Sequence, residues 1–214
     1  MTTTPMNSQA GVEQWLSKTA AIPDSPFITF AKTVHPISVQ AEQYISQKTF
    51  VSYITKGAYL VTTGNYCPTV YLIKKGIMRS YVKEGIKEIT TWITGENELI
   101  TSITSFGLLQ PARENIQALE DCELIGLHFE DLQYLYDHCP EMNIVGRKVL
   151  EGYYRDAEER AFIARLTEAT SKYKHFIATK SDLLNRVPLK FIASYLGMTL
   201  ETLSRIRSKL SRVV

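Results

Sequence analysis

The 214 residues carry 44% hydrophobic and 21% charged side chains, which is ordinary for a globular protein and excludes global disorder. No apolar run approaches the ~18 residues that a membrane span needs, and the polar opening MTTTPMNSQAG lacks the basic and apolar regions of a secretory signal, so a non-membrane, cytoplasmic protein is expected. Net charge is +2, but residues 1–169 hold 15 basic and 20 acidic side chains and residues 170–214 hold 9 and 2: an acidic body followed by a basic tail, the footprint of a polyanion-binding segment.

The length fits one large domain, or a mid-sized domain with a small one attached. Cys67, Cys122 and Cys139 are odd in number and widely spaced, which suits idle thiols rather than a disulfide framework or a zinc site. Residues 1–10 read as a loose start. From residue 12 to 48, Pro23, Pro26 and Pro36 interrupt the pattern, and one or two helices are expected, one of them over residues 37–47. From residue 50 the composition shifts to short runs rich in Val, Ile, Tyr and Thr, at 50–54, 59–62, 69–74, 76–82, 88–93 and 124–128. Turn signals separate them at Lys56-Gly57, Gly64-Asn65, Lys75-Gly76, Glu84-Gly85 and Gly95-Glu96. Half-buried strands at this spacing imply a small barrel, roll or sandwich.

Residues 129–139 read as a short helix with Glu130 and Asp131 at its positive end. Pro140 can open a second helix running to about residue 166. Small or apolar residues recur along it at Met142, Val145, Val149, Tyr153, Ala157, Ala161 and Ala164. A helix of ~25 residues spans nearly 40 Å, and we expect the stripe Val145, Val149, Tyr153, Ala157 and Ala161 to pack against its twin in a homodimer. Ser181–Asn185 is expected to form a helical turn before Val187-Pro188.

Residues 188–210 then read as a helix-turn-helix. Pro188 suits a first helical position, and Leu189, Ile192, Ala193 and Leu196 share one face. Ala193 is small where a second helix must cross. Gly197 provides a left-handed cap, Met198 fills the space beneath the turn, and Thr199 is a good N-cap. Leu203, Ile206 and Leu210 form the buried stripe of the second helix. Its outward face carries Glu201, Thr202, Ser204, Arg205, Ser208 and Lys209, with Arg207 on the flank. Arg can donate two hydrogen bonds to guanine and Glu can accept one from cytosine, while Thr, Ser and Lys can hold phosphates. The DNA-binding set is therefore Thr199, Glu201, Thr202, Ser204, Arg205, Arg207 and Lys209.

The phrase Ile192-Ala193-Ser194-Tyr195-Leu196-Gly197-Met198-Thr199, followed by Glu201-Thr202-Leu203-Ser204-Arg205-Ile206, resembles the recognition motif of the bacterial Crp/Fnr family of transcription regulators. The resemblance puts Glu201 and Arg205 on the two main base-reading positions and Leu200 where some members carry a third base-contacting Arg. It extends over most of the chain. Residues 69–93, with Leu72-Ile73-Lys74-Lys75-Gly76 and the Glu84-Gly85 hairpin, are similar to the family's β-roll sensor, and Ala118-Leu119-Glu120-Asp121-Cys122-Glu123-Leu124 to its last strand and approach. What it implies is an α+β fold. A double-stranded, jelly-roll-like β-roll sensor occupies residues 1–139, with the roll itself at about 48–128. A linker and dimerisation helix follows at 140–167, then a helical DNA-binding domain at 168–214. The short chain after the recognition helix leaves little room for the family's winged elaboration.

The resemblance also implies a phosphate cassette, and here the sequence departs from it. The family's Gly-Glu site falls on Thr101-Ser102. Its Arg site falls near Ala112-Arg113, followed by Glu114, which would repel an anionic phosphate. Cyclic AMP is therefore not the expected effector. Another small molecule in the same hollow, contacting Thr101, Ser102, Ser105, Arg113 and Asn115, is expected instead, or none at all. His35, His128, His138 and His175 are scattered, residues 1–40 hold no cysteine, and neither metal, haem nor iron–sulfur cofactor is expected. No phosphate loop, nucleophile elbow or metal-spaced His/Glu set points to an enzyme. The reading is a homodimeric transcription regulator on a pseudo-palindromic duplex, with RNA polymerase a candidate partner. The alternative is a sensor or protein-interaction module whose helix-turn-helix no longer binds DNA.

Overall fold

A computed structural model describes residues 21–210; the expected loose start and the chain beyond the recognition helix lie outside the described residues. Two helices, α1 (Pro26–Val34) and α2 (Val39–Lys48), precede eight strands. These are β1 (Phe50–Ile54), β2 (Tyr59–Val61), β3 (Thr69–Lys75), β4 (Met78–Glu84), β5 (Lys87–Thr94), β6 (Leu99–Ile100), β7 (Asn115–Ala118) and β8 (Cys122–His128). Helix α3 (Ile103–Leu108) lies between β6 and β7. The strands form two four-stranded antiparallel sheets in the orders β1-β8-β3-β6 and β2-β7-β4-β5, the expected β-roll.

Period-two alternation explains how each strand is used. Ile73, Met78, Ile116, Ala118 and Leu124 point between the sheets and fill the roll with Ile54, Val61, Ile100 and Ala112. Val70, Leu72, Ile125 and Leu127 point the other way, onto α1, α2 and the helices that follow. The central strand β8 is thus covered on both faces, and Leu124–Leu127 is unbroken by polar residues for that reason. The second sheet also has two covered faces, but its outer one carries Arg79 and Tyr81, both nearly fully buried.

Helix α4 (Phe129–His138) leads into α5 (Pro140–Arg165), whose 26 residues match the expected long helix. Then come α6 (Ala169–Thr179), a 3-10 turn (Ser181–Leu183), α7 (Leu189–Tyr195) and α8 (Leu200–Leu210). The strands β6 and β7 and the helix α6 were not among the expected elements. The signal for α6 was present: Ala169, Tyr173, Phe176 and Ile177 follow helical spacing, and all pack into one core. The interleaved Lys172 and Lys174 gave that segment the look of a basic tail. The three cysteines are buried free thiols, and burial pushes Cys122 up to about 11.

Gly76 closes the β3–β4 turn at φ +102°, and a β-carbon there would sit 2.7 Å from Cys122 Sγ and 2.9 Å from the Asp121 carbonyl. Gly57 also has positive φ, +87°, but open space around it. Gly76→Ala is expected to cost about 2–4 kcal/mol through strain plus overpacking, and Gly57→Ala about 1 kcal/mol. Urea denaturation midpoints compare them, and equal losses would remove the packing term.

Candidate nucleic-acid interface and sensor site

The helix-turn-helix assembles from local rules. Ile192, Ala193 and Leu196 of the first helix and Leu203 and Ile206 of the second are buried against Tyr173 and Phe176 of α6. Gly197 adopts φ +64°, and Met198 N donates to Ala193 O at 3.0 Å, ending α7. Thr199 Oγ1 accepts from Thr202 N at 3.2 Å and caps α8. The outward face presents Thr199, Glu201, Ser204, Arg205 and Lys209 in solvent, with Thr202 and Arg207 half-buried at its margins. Glu201 is held below its ordinary value by its own backbone N–H and the Thr199 hydroxyl. It is a carboxylate, an acceptor only, at the start of the helix.

This helical head is seated on the outer face of the second sheet. Ser194 Oγ accepts from Thr90 N at 2.9 Å and donates to Glu88 O at 3.1 Å, satisfying the free edge of β5. The Arg79 guanidinium lies 3.7 Å from the Phe191 ring centroid and 4.2 Å from that of Tyr81. It is ion-paired to Glu88 and donates to Gln117 Oε1 at 3.2 and 3.0 Å. Ile77, Ile93 and Leu119 of the roll share one core with Val187, Ile192 and Leu196. Arg186 bridges Glu96 and Glu120, each at 2.6 Å. Its guanidinium holds Glu96 down at about 2, and the two carboxylates raise Arg186 in turn. Nothing in the sequence pairs these residues in advance.

Of the expected effector residues, the structure brings Thr101, Ser102 and Ser105 together at one end of the roll. Thr101 Oγ1 donates to Thr69 O at 2.9 Å, and Ser105 Oγ accepts from Cys67 N at 2.6 Å. Ser102 Oγ is fully buried and without a hydrogen-bond partner among the described residues. Arg113 and Asn115 require correction. The Ala112 backbone is pinned to Asn65 O and Gly64 N, which sets its methyl inside the roll and leaves Arg113 in solvent. Asn115 alternates with the inward Ile116, so it shares the outer face with Gln117, where its Oδ1 accepts from Thr63 N at 3.2 Å.

The expected dimer stripe is corrected as well. Val145 is buried in, and Val149 packed against, the core beneath α1 and α4. Tyr153 Oη accepts from Leu99 N at 2.7 Å and donates to Leu99 O at 2.8 Å. These three residues are therefore committed to their own roll; Ala157 is half-buried and Ala161 exposed. The face of α5 that looks away carries Leu150 and Tyr154, 65% and 71% exposed, beside Gly146 and Arg147 in an open groove against Tyr136 of α4. Three of the four histidines are occupied structurally: His128 bonds Thr69, His138 the Tyr134 carbonyl and His175 Glu159. No helix of the described residues is long and apolar enough to cross a membrane.

Residues 51–139 match the family described as Cyclic nucleotide-binding domain. No curated protein sequence matches the chain. Among solved structures, FixK2 from Bradyrhizobium japonicum aligns at TM-score 0.67 with 18% identity, covering 77% of this chain and 85% of its own. The c-di-GMP responsive regulator CLP of Xanthomonas campestris aligns at 0.64 with 16% identity, covering 82% and 92%. A protein from Eubacterium rectale assigned to the crp/fnr family aligns at 0.64 with 15% identity, covering 82% and 84%. The shared property is the fold: a roll, a long helix and a helical head.

The Arg186 bridge gives the head a pH-dependent seat. Glu96 titrates near 2 when docked and near its ordinary 4.5 when free, so its contribution is complete above about 4.5 and is lost as pH falls toward 2. The Tm difference between wild type and Arg186→Ala is expected to be largest above pH 4.5 and to shrink across that window. A difference unchanged at pH 2 would show that the bridge is not what holds Glu96 down.

Proposed function

We propose that this chain, whose residues 51–139 match the cyclic nucleotide-binding domain family, is a homodimeric, sequence-specific DNA-binding transcription regulator of the Crp/Fnr type. The observation that carries this is α8. It is buried along Leu203 and Ile206, capped by Thr199, and leaves Glu201 and Arg205 in solvent on its outward face. Arg205 would read guanine with two hydrogen bonds and Glu201 would accept from cytosine N4. Thr199, Thr202, Ser204, Arg207 and Lys209 would set register on phosphates. The +7 charge of residues 170–214 supplies the long-range attraction. A cytoplasmic location and RNA polymerase as the downstream partner follow from this role, and no enzymatic step is invoked.

Two heads about 34 Å apart would enter successive major grooves of a pseudo-palindrome. We assign the twofold contact to the outward face of α5, with Gly146, Leu150, Tyr154 and Ala161 meeting their twins, because the opposite face is occupied by the chain's own roll. The effector is a small molecule other than cyclic AMP. Ala112 stands buried where the resemblance calls for the cassette arginine, Arg113 faces solvent, and apolar side chains fill the roll. An effector acts by binding one arrangement of the heads more tightly than another.

Selection from random duplex DNA is expected to enrich a pseudo-palindrome with or without cyclic AMP. Arg205→Ala should lose about 1–3 kcal/mol of discrimination at one base position per half-site. Enrichment only with the nucleotide would overturn the effector reading. No enrichment at all would favour a head that does not read DNA. Leu150→Asp with Tyr154→Asp should convert a dimer into a monomer in sedimentation; a dimer that persists would move the contact to another surface.

A further inference from the structure

The docked head determines which part of the roll accompanies α8 toward DNA. Arg186, just ahead of α7, pairs with Glu96 beyond the residue 94 end of β5, and Val187 shares one core with Ile77 and Ile93, while Ser194 in the last turn of α7 is held by Glu88 and Thr90. α7 therefore runs antiparallel to β5, from the residue 93 end to the residue 88 end. The chain turns at Gly197 and α8 begins at Leu200. The start of the recognition helix thus lies at the same end of β5 as the tip of the β4–β5 hairpin.

Strand register sets the side chains at that tip. Lys83 pairs with Glu88 and Glu84 with Lys87, and directly opposed residues share a face. Lys83 follows Arg79 and Tyr81 at steps of two, so it lies on the face that carries the head. Glu88, opposite it, is committed to Arg79. Lys83 is left as an exposed cation with no ion pair among the described residues. Lys87 lies on the other face, directly opposite the carboxylate of Glu84.

We propose that Lys83, on the sensor roll, is a further DNA-contacting residue that donates to a backbone phosphate beside the groove entered by α8. The inference rests on the DNA-binding reading above. A phosphate contact positions without reading sequence, so Lys83 adds affinity on every duplex and does not alter operator choice. It also couples the sensor to DNA directly, because the contact exists only while the head is docked on β5.

The test is the salt dependence of binding to a mixed-sequence duplex by wild type, Lys83→Ala and Lys87→Ala. Each phosphate contact contributes about 0.9 to the slope of log affinity against log salt. Lys83→Ala is expected to lower the slope by about 0.9 per subunit and to weaken binding several-fold at low salt. Lys87→Ala, of the same charge and on the same hairpin, is expected to leave the slope unchanged. Equal effects of the two variants, or no effect of Lys83→Ala beside a normal wild-type slope, would overturn the assignment alone. A wild type with no salt-dependent binding would remove the DNA-binding reading and this assignment together.

Discussion

Arg79 is a cation only 2% exposed, placed between the Tyr81 and Phe191 rings and held by Glu88 and Gln117. A charge out of water is costly unless its partners compensate, and here they come from both parts of the molecule: three from the roll and one aromatic face from the head. An antiparallel sheet can leave one face wet; in this roll Arg79 and Tyr81 turn that face into a platform for α7. The orientation of α8 follows, because α7 and α8 share one core with the roll through Ile77, Ile93 and Leu119. If the head left, Arg79 would gain water in place of Phe191 and would not be stranded.

The long helix has a similar double commitment. One face of α5 closes the roll, with Val145 and Val149 on the apolar cap and Tyr153 bonded to both backbone polar groups of Leu99. The other face keeps Leu150 and Tyr154 in solvent. A displacement of β6 would be felt by Tyr153 at once, and a displacement of α5 would reach β5, the strand that seats the head, through Arg160, which stacks on Trp92 at 3.6 Å. The roll, the helix and the head are joined by these few polar and aromatic contacts as well as by shared apolar cores.

The interior of the roll has the expected topology but a changed chemistry. Where an anionic ligand would need a cation, Ala112 contributes a methyl, and the nearest arginine points outward because the backbone at Ala112 is hydrogen-bonded on both sides. Thr101, Ser102 and Ser105 do cluster, and the Ser102 hydroxyl is buried without a partner. A buried hydroxyl that lacks a hydrogen bond carries a cost, so this end of the roll offers neutral polar groups rather than charge.

The sequence by itself determined the elements whose physics is local. Gly197 and Thr199 mark the turn and cap of the helix-turn-helix, and Leu203 and Ile206 follow helical spacing. Runs of β-forming residues bounded by turn signals mark β3, β4, β5 and β8, strands of five residues or more. It determined much less where an element is too short to show a period, as for Leu99–Ile100 and Asn115–Ala118. Tertiary structure alone decided which surface each stripe meets. Val145, Val149 and Tyr153 have the spacing of an interface, and spacing is silent on whether the partner is a twin or the chain's own roll. One residue of register separates the buried Ala112 from the exposed Arg113, a difference no composition reveals. The seat of the head joins residues 79, 88, 96 and 120 to 186, 191 and 194. Each charged member reads in isolation as a solvated surface residue, because ion pairing across as many as 90 positions is created by the fold and leaves no periodic trace in the chain.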